Sequence, residues 1–393
     1  MRTHRRMQTV PRASPVVSLP SPDPPATLSG HRDLHPLDAV DLRARVAEVI
    51  HEHLHDQRAI LSEVGEPVLA LLDAIGDLLT GGKRLRAAFL YWGYRAFDGP
   101  DTPALIRAAS AMEIFQAAAL LHDDVMDNSD LRRGRPTAHR AFEAHHADAA
   151  WSGSSSSFGH AAATLAGDMC LNWCDEVFAN SGLPPEHLQR ARGTFDLMRT
   201  QLMGGQYLDV LTSAQDWDHL SHHERIDQCR RVIRFKSAKY SIEHPLLIGA
   251  SAIGASAADK RALSAYGLAL GEAFQLRDDL LGVYGDPEAT GKPAGDDLRE
   301  GKRTILIALA MHHGSERETT TVMRALGNPD LTQEDVHRVR AALMDSGAVQ
   351  HVEDMIEHST DQAREALASV HDMTPHGEAA LRALIDISTA RSA

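Results

Sequence analysis

DLRARVAEVIHEHLHDQRAIL, residues 41–61, sets Leu42, Val46, Val49, Ile50 and Leu54 at three- and four-residue intervals, the repeat of one helix face. The same spacing continues along the chain, and no sustained apolar/polar alternation interrupts it. Ala, Leu, Arg and Glu, good helix formers, dominate. Turn signals fall at Gly81-Gly82, Gly99-Pro100, Ser152 to Gly159, Gly182 to Pro185, Gly285 to Gly295 and Gly327 to Asp330. They divide the chain into about ten or more helices with no sheet, an all-α fold. The Ser/Gly stretch Trp151 to Gly159 reads as a mobile loop within one domain, residues 41–393, because helical patterning resumes at Ala161.

The chain has 393 residues, and 43% hydrophobic content is enough to bury a sizeable core. A net charge of −14 excludes a generally basic nucleic-acid surface, so an anionic ligand needs local basic clusters or metal ions. Cys170, Cys174 and Cys229 are too few for a disulfide scaffold, and a reducing cytoplasm suits them. Cys170 and Cys174, one turn apart in an apolar segment, read as core. No run of eighteen apolar residues suggests a transmembrane segment, and no apolar stretch near the N-terminus suggests a signal peptide. Residues 1–40 hold seven of the 18 prolines and read as a disordered tail. The tail is expected to be dispensable for activity; a transit peptide, a docking segment for an unknown partner and an inert spacer all remain open for it.

Two aspartate pairs close apolar helical runs: Leu120-Leu121-His122-Asp123-Asp124-Val125-Met126-Asp127 and Phe274-Gln275-Leu276-Arg277-Asp278-Asp279-Leu280-Leu281. Asp123 and Asp127, four apart, share a helix face and would repel each other without a cation. Magnesium is typically held by one or two carboxylates plus substrate phosphates, and carboxylates on two facing helices would supply that arrangement. Basic stretches accompany them: GGKRLR (81–86), LRRGRPT (131–137), FKSAKY (235–240) and the lysines between Thr290 and Arg303. Arg forks and Lys point charges are the usual partners of diphosphates, so alternating acid and base points to metal-bridged phosphate.

In order, GGKRLR, EIFQAAALLHDDVMDNSDLRRGRPTAH (113–139), FGHAAATLAGD (158–168), GGQYLDV (204–210), FKSAKY, FQLRDDLLGVYGD (274–286) and TGKPAGDDLREGKRT (290–304) resemble the trans-isoprenyl diphosphate synthases. The resemblance implies a large helical bundle around a deep central cavity, usually a homodimer, that condenses isopentenyl diphosphate with an allylic diphosphate head to tail. It implies magnesium, three ions, held by Asp123, Asp127 and Asp278, with Asp124 and Asp279 in support and Lys236 beside them in the catalytic set. Lys83, Arg86, Gln116 and Arg133 match positions that hold isopentenyl diphosphate. Arg132, Lys236, Ser237, Gln275, Lys292 and Lys302 match those around the allylic substrate. Gly282 departs from the pattern, standing where many relatives carry the last aspartate of the second motif.

Product length in such enzymes depends on what the growing chain meets below the first motif. Ala119 and Ala118 are small there, and Phe115, about 12 Å along the axis, is the expected floor. Geranylgeranyl diphosphate is then the expected main product and farnesyl diphosphate the second; Phe115 packed outside the tunnel is the bland alternative. A terpene cyclase would need an Asn/Ser/Glu triad where Asp278-Asp279-Leu280-Leu281-Gly282 stands, and a non-catalytic partner subunit would have lost a motif. His51-Glu52-His53-Leu54-His55 matches a zinc-protease pattern, but His51 and His55 lie opposite the apolar stripe and are expected to face solvent. The patches His139 to His146 and His219 to His223 read as solvated surface.

Overall fold

The computed structural model of the chain describes residues 40–217, 219–285 and 295–389. Residues 1–39, read as a disordered tail, and Lys292, matched to the surroundings of the allylic substrate, lie outside the described residues. Ten helices lead to the end of the second aspartate motif: α1 Leu42–Val64, α2 Leu69–Leu79, α3 Leu85–Arg95, α4 Pro103–Met126, α5 Ala138–Asp148, α6 Ser155–Ala179, α7 Pro185–Ala214, α8 His222–Val232, α9 His244–Ile253 and α10 Ala257–Tyr284. A short helical turn, Asp296–Arg299, and five longer helices, Ile305–His313, Glu316–Ala325, Gln333–Asp345, Ala348–Ala368 and Pro375–Thr389, follow in the described residues.

Local chemistry sets the helix starts. Thr102 accepts from Leu105 N at 3.2 Å before Pro103 opens α4, and Ser256 accepts from Asp259 N at 3.1 Å at the start of α10. Ser154 likewise caps α6 by accepting from Ser157 N. That cap corrects the expected loop: helix begins at Ser155, so most of the serine run is helical. The expectation of no sheet is corrected as well. Leu131–Arg132 and Arg135–Pro136 form a two-stranded antiparallel ribbon whose turn, Arg133-Gly134, has φ of 52° and 74°, the left-handed pair a tight hairpin requires.

Phe89, Trp92, Phe115, Phe178 and Tyr266 belong to one apolar cluster, and Leu276, Leu280, Leu306, Val336 and Val352 to a second beside the C-terminal helices. Cys170 and Cys174 are in the core, as their spacing implies. α4 is long and apolar enough, by length and composition, to cross a membrane, but 72% of that window is buried in the bundle, where α4 packs along α6.

Between α8 and α9 the helix widens into a π segment, Ile233–Glu243. Such widenings occur most often at functional sites. Glycines let its neighbours approach: a Cβ at Gly205 on α7 would lie 2.5 Å from Lys236 N, and one at Gly271 on α10 would lie 2.4 Å from Ala238 Cα. This close packing fixes the direction of the Lys236-Ser237 pair between α7 and α10.

His51 and His55 are exposed, as the wheel of α1 implies, while His53 packs edge-on against Trp173. His219 and His223 are exposed, but His139 and His146 are buried, correcting the expectation for that patch. His146 sits among Trp151 and Phe158, and His139 lies 3.2 Å from Thr137 Oγ1 with the His160 ring beside it. Burial, with Arg140 and His160 adding to it, pushes His139 down to about 4 from 6.5. The fold therefore holds a neutral imidazole, and the unfolded chain takes up the proton first. Stability from this group is complete above pH 6.5 and is lost as pH falls toward 4. In thermal melts across that window His139→Gln should lose about 3–5 °C less than the parent chain; parallel curves would show that His139 does not titrate this way.

Candidate active site

α4 and α10 carry the two aspartate motifs to a shared cavity of about 930 Å³. Asp123, Asp278 and Asp279 line it together with Lys236 and Lys302. Lys236 Nζ donates to Asp123 Oδ1 at 2.9 Å and to Asp209 Oδ2 at 2.5 Å, and Gln206 Nε2 donates to the same Asp123 oxygen at 2.7 Å. Arg132 grips Asp124 through Nε at 2.8 Å and Nη2 at 2.5 Å, and lies 3.8 Å from Asp123. Lys302 Nζ sits 2.7 Å from Glu300, 3.3 Å from Asp127 and 3.6 Å from Asp297.

This charge pattern separates the carboxylates. Burial would raise Asp123, but Lys236, Lys302 and Arg132 outweigh it and hold the group well below the usual carboxylate range. Burial dominates at Asp127 and pushes it up to about 6, with Asp123 adding repulsion against the pull of Lys302. Asp279 is pushed up to about 8 by burial, although Gln275 Nε2 donates to it at 2.8 Å. The donor set is all oxygen, spread over two helices and balanced by ammonium groups. That composition fits magnesium shared with phosphate oxygens, and does not fit a soft metal.

The basic stretches reach the cavity from three sides. Lys83, Arg86, Arg133 and Ser237 line it. Arg133 Nη1 donates to Leu78 O and Thr80 O at 3.2 and 3.1 Å, tying the hairpin to the loop before α3. Arg86 Nη2 donates to Ser241 Oγ at 2.7 Å, with its guanidinium 4.3 Å above the Tyr240 ring. Gln116 lines the wall, and its Oε1 is buried without a hydrogen-bond partner, an acceptor suited to a donor inside the cavity.

The expected product-length residues are placed differently. The α4 wall is Glu113, Gln116, Leu120 and Asp123, whereas Phe115, Ala118 and Ala119 do not line the cavity. At about 100° per residue, Gln116 stands about 20° from Asp123 around the helix, Ala119 about 40°, Phe115 about 80° and Ala118 about 140°. Ala118 is therefore turned into the core, and Phe115 packs edge-on behind Tyr240, with ring centroids 6.0 Å apart.

Residue roles that the sequence left unassigned also emerge. Gln206 and Asp209 were visible within GGQYLDV as polar groups three apart on one helix face, but their partners lie in α4 and the π segment. Arg84 and Glu113 form a buried pair at 3.6 Å, and Glu113 Oε1 accepts from Ala87 N at 3.0 Å, locking α3 against α4.

Residues 69–343 match the sequence model of the family described as polyprenyl synthetase. A geranylfarnesyl diphosphate synthase of Aeropyrum pernix is 31% identical over 310 residues, 78% of this chain and 89% of that protein. A geranylgeranyl diphosphate synthase of Sulfolobus acidocaldarius is 33% identical over 281 residues, 70% of this chain and 78% of the relative. Among solved structures, a geranylgeranyl pyrophosphate synthase from Corynebacterium glutamicum, complexed with isoprenyl diphosphate and magnesium, superposes with a TM-score of 0.84 at 38% identity, covering 90% of this chain and 99% of that one.

Proposed function

Because the chain belongs to the polyprenyl synthetase family, we propose that its cavity joins isopentenyl diphosphate head to tail to an allylic diphosphate, with geranylgeranyl diphosphate as the main product. It is a trans-prenyltransferase with the isoprenoid synthase fold. The observation that carries the reading is the meeting of two helix-borne aspartate motifs with Lys236, Lys302, Arg132 and Arg133 around one cavity.

Asp123, Asp127 and Asp278 are the proposed ligands of three magnesium ions, with Asp124 and Asp279 behind them. Bound magnesium would supply neutralisation of the leaving diphosphate as the allylic carbon–oxygen bond ionises. Lys236, Ser237, Gln275, Lys302 and Arg132 surround the allylic diphosphate, and Lys83, Arg86, Gln116 and Arg133 take isopentenyl diphosphate. Leu120, Ile233 and Phe274 give the lining its apolar part and exclude water from the cation before the isopentenyl double bond attacks it. The released diphosphate takes up the proton, and no side chain of the cavity suits that task better. Three buried free thiols support a reducing cytoplasm. A homodimer would cover apolar side chains exposed on α6 and α7, among them Leu165 and Leu197.

Product length is tested by incubating the chain with isopentenyl diphosphate and, in turn, dimethylallyl, geranyl and farnesyl diphosphate, with mass-spectrometric analysis. Geranylgeranyl diphosphate is expected to dominate. Although alanine at 119 does not line the cavity, the position stands about 40° from Asp123 around α4, so the larger ring of Ala119→Phe should reach the wall and shift the main product to farnesyl diphosphate. A wild-type product consistently shorter or longer overturns the assignment.

A further inference from the structure

Asp123 on α4 and Asp127, the residue that caps its C-terminus, stand one turn apart, so the first motif presents a pair of carboxylates at i and i+4. α10 has the same spacing at Asp278 and residue 282, but position 282 is glycine. A Cβ at Gly282 would lie 1.8 Å from Asp297 Oδ2 and 2.5 Å from Asp297 Cγ. The Asp297 carboxylate thus occupies the volume into which a side chain at 282 would project.

The chain holds Asp297 there firmly. It belongs to a short helical turn, Asp296–Arg299, in which Asp297 O accepts from Lys302 N at 3.0 Å. Leu298 is buried, and its carbonyl accepts from Gly327 N at 2.7 Å. Lys302 Nζ, 3.3 Å from Asp127 Oδ2 and 3.6 Å from Asp297 Oδ1, shows that one cation reaches from the first motif to Asp297. We infer that Asp297 supplies, from outside the second motif, the carboxylate that α10 lacks at Gly282, and pairs with Asp278 toward the metal–diphosphate group.

This inference rests on the proposed function. Its test uses the full chain with Mn²⁺ as a paramagnetic probe and inorganic diphosphate, reading free Mn²⁺ by electron paramagnetic resonance. Asp297→Asn, nearly isosteric, should weaken Mn²⁺ binding about tenfold or more. Gly282→Asp combined with Asp297→Ala moves the carboxylate onto α10 into space now vacated, and should recover most of that loss. Wild-type affinity in Asp297→Asn, or a double variant that binds no better than Asp297→Asn, would overturn the inference while leaving the proposed function standing. If wild-type chain with diphosphate binds no Mn²⁺, or Asp123→Ala binds it equally well, the proposed function falls and takes the inference with it.

Discussion

Asp123→Ala and Asp278→Ala are each expected to lower kcat/KM by about three orders of magnitude or more, about 4 kcal/mol of transition-state stabilisation. Far-UV circular dichroism and the melting temperature should change little. Asp123 lies where Lys236, Gln206 and Arg132 converge, so its removal deletes a charge without opening an apolar void. Lys236 keeps Asp209 as a partner in that variant. Asp278 approaches the same cavity from α10. The loss should therefore fall on chemistry and metal dependence. Turnover near that of the parent chain in either variant would remove that residue from the metal site.

Lys236→Ala should cost about 100- to 1,000-fold in kcat/KM, about 3–4 kcal/mol, and should also lower the melting temperature. Its ammonium is shared by Asp123 and Asp209, and deleting it leaves two carboxylates facing each other in a partly dehydrated site. The two losses can be separated. Lys236→Ala with Asp209→Asn removes one of the stranded charges, so it should regain melting temperature without regaining activity. Lys236→Arg should rescue little, because the π segment packed on Gly205 and Gly271 directs a compact ammonium, and a planar guanidinium fork does not match that geometry. Calorimetry and steady-state rates on the four proteins check both effects; joint recovery of stability and activity in the double variant would mean that Lys236 acts only as a brace.

Much of this was legible in the chain. Leu42, Val46 and Ile50 are buried on the face their spacing defines, and the apolar runs before Asp123 and Asp278 became the two helices that meet at the cavity. Features made by few residues were harder to read. The ribbon at Leu131–Pro136 is two residues per strand, with only Arg133-Gly134 to announce its turn. The serines before Phe158 read as loop because serine favours turns and caps equally, and only Ser154 turned out to cap. No residue pattern announces the π segment; Gly205 and Gly271 acquire meaning only once their neighbours are known. Counting residues back from Asp123 without following the angle put Ala118 on the cavity side, whereas Gln116, seven residues back, is the one that nearly eclipses Asp123. Asp297 escaped because the void it fills is made by a glycine fifteen positions away.

The most direct test of the account is whether the purified chain alone, given magnesium and isopentenyl diphosphate, releases diphosphate only when an allylic diphosphate is present. The account predicts release matched to the formation of a longer all-trans prenyl diphosphate, abolished by chelation and restored by magnesium. Metal-dependent diphosphate release without elongation, or no reaction with any allylic primer, would contradict it.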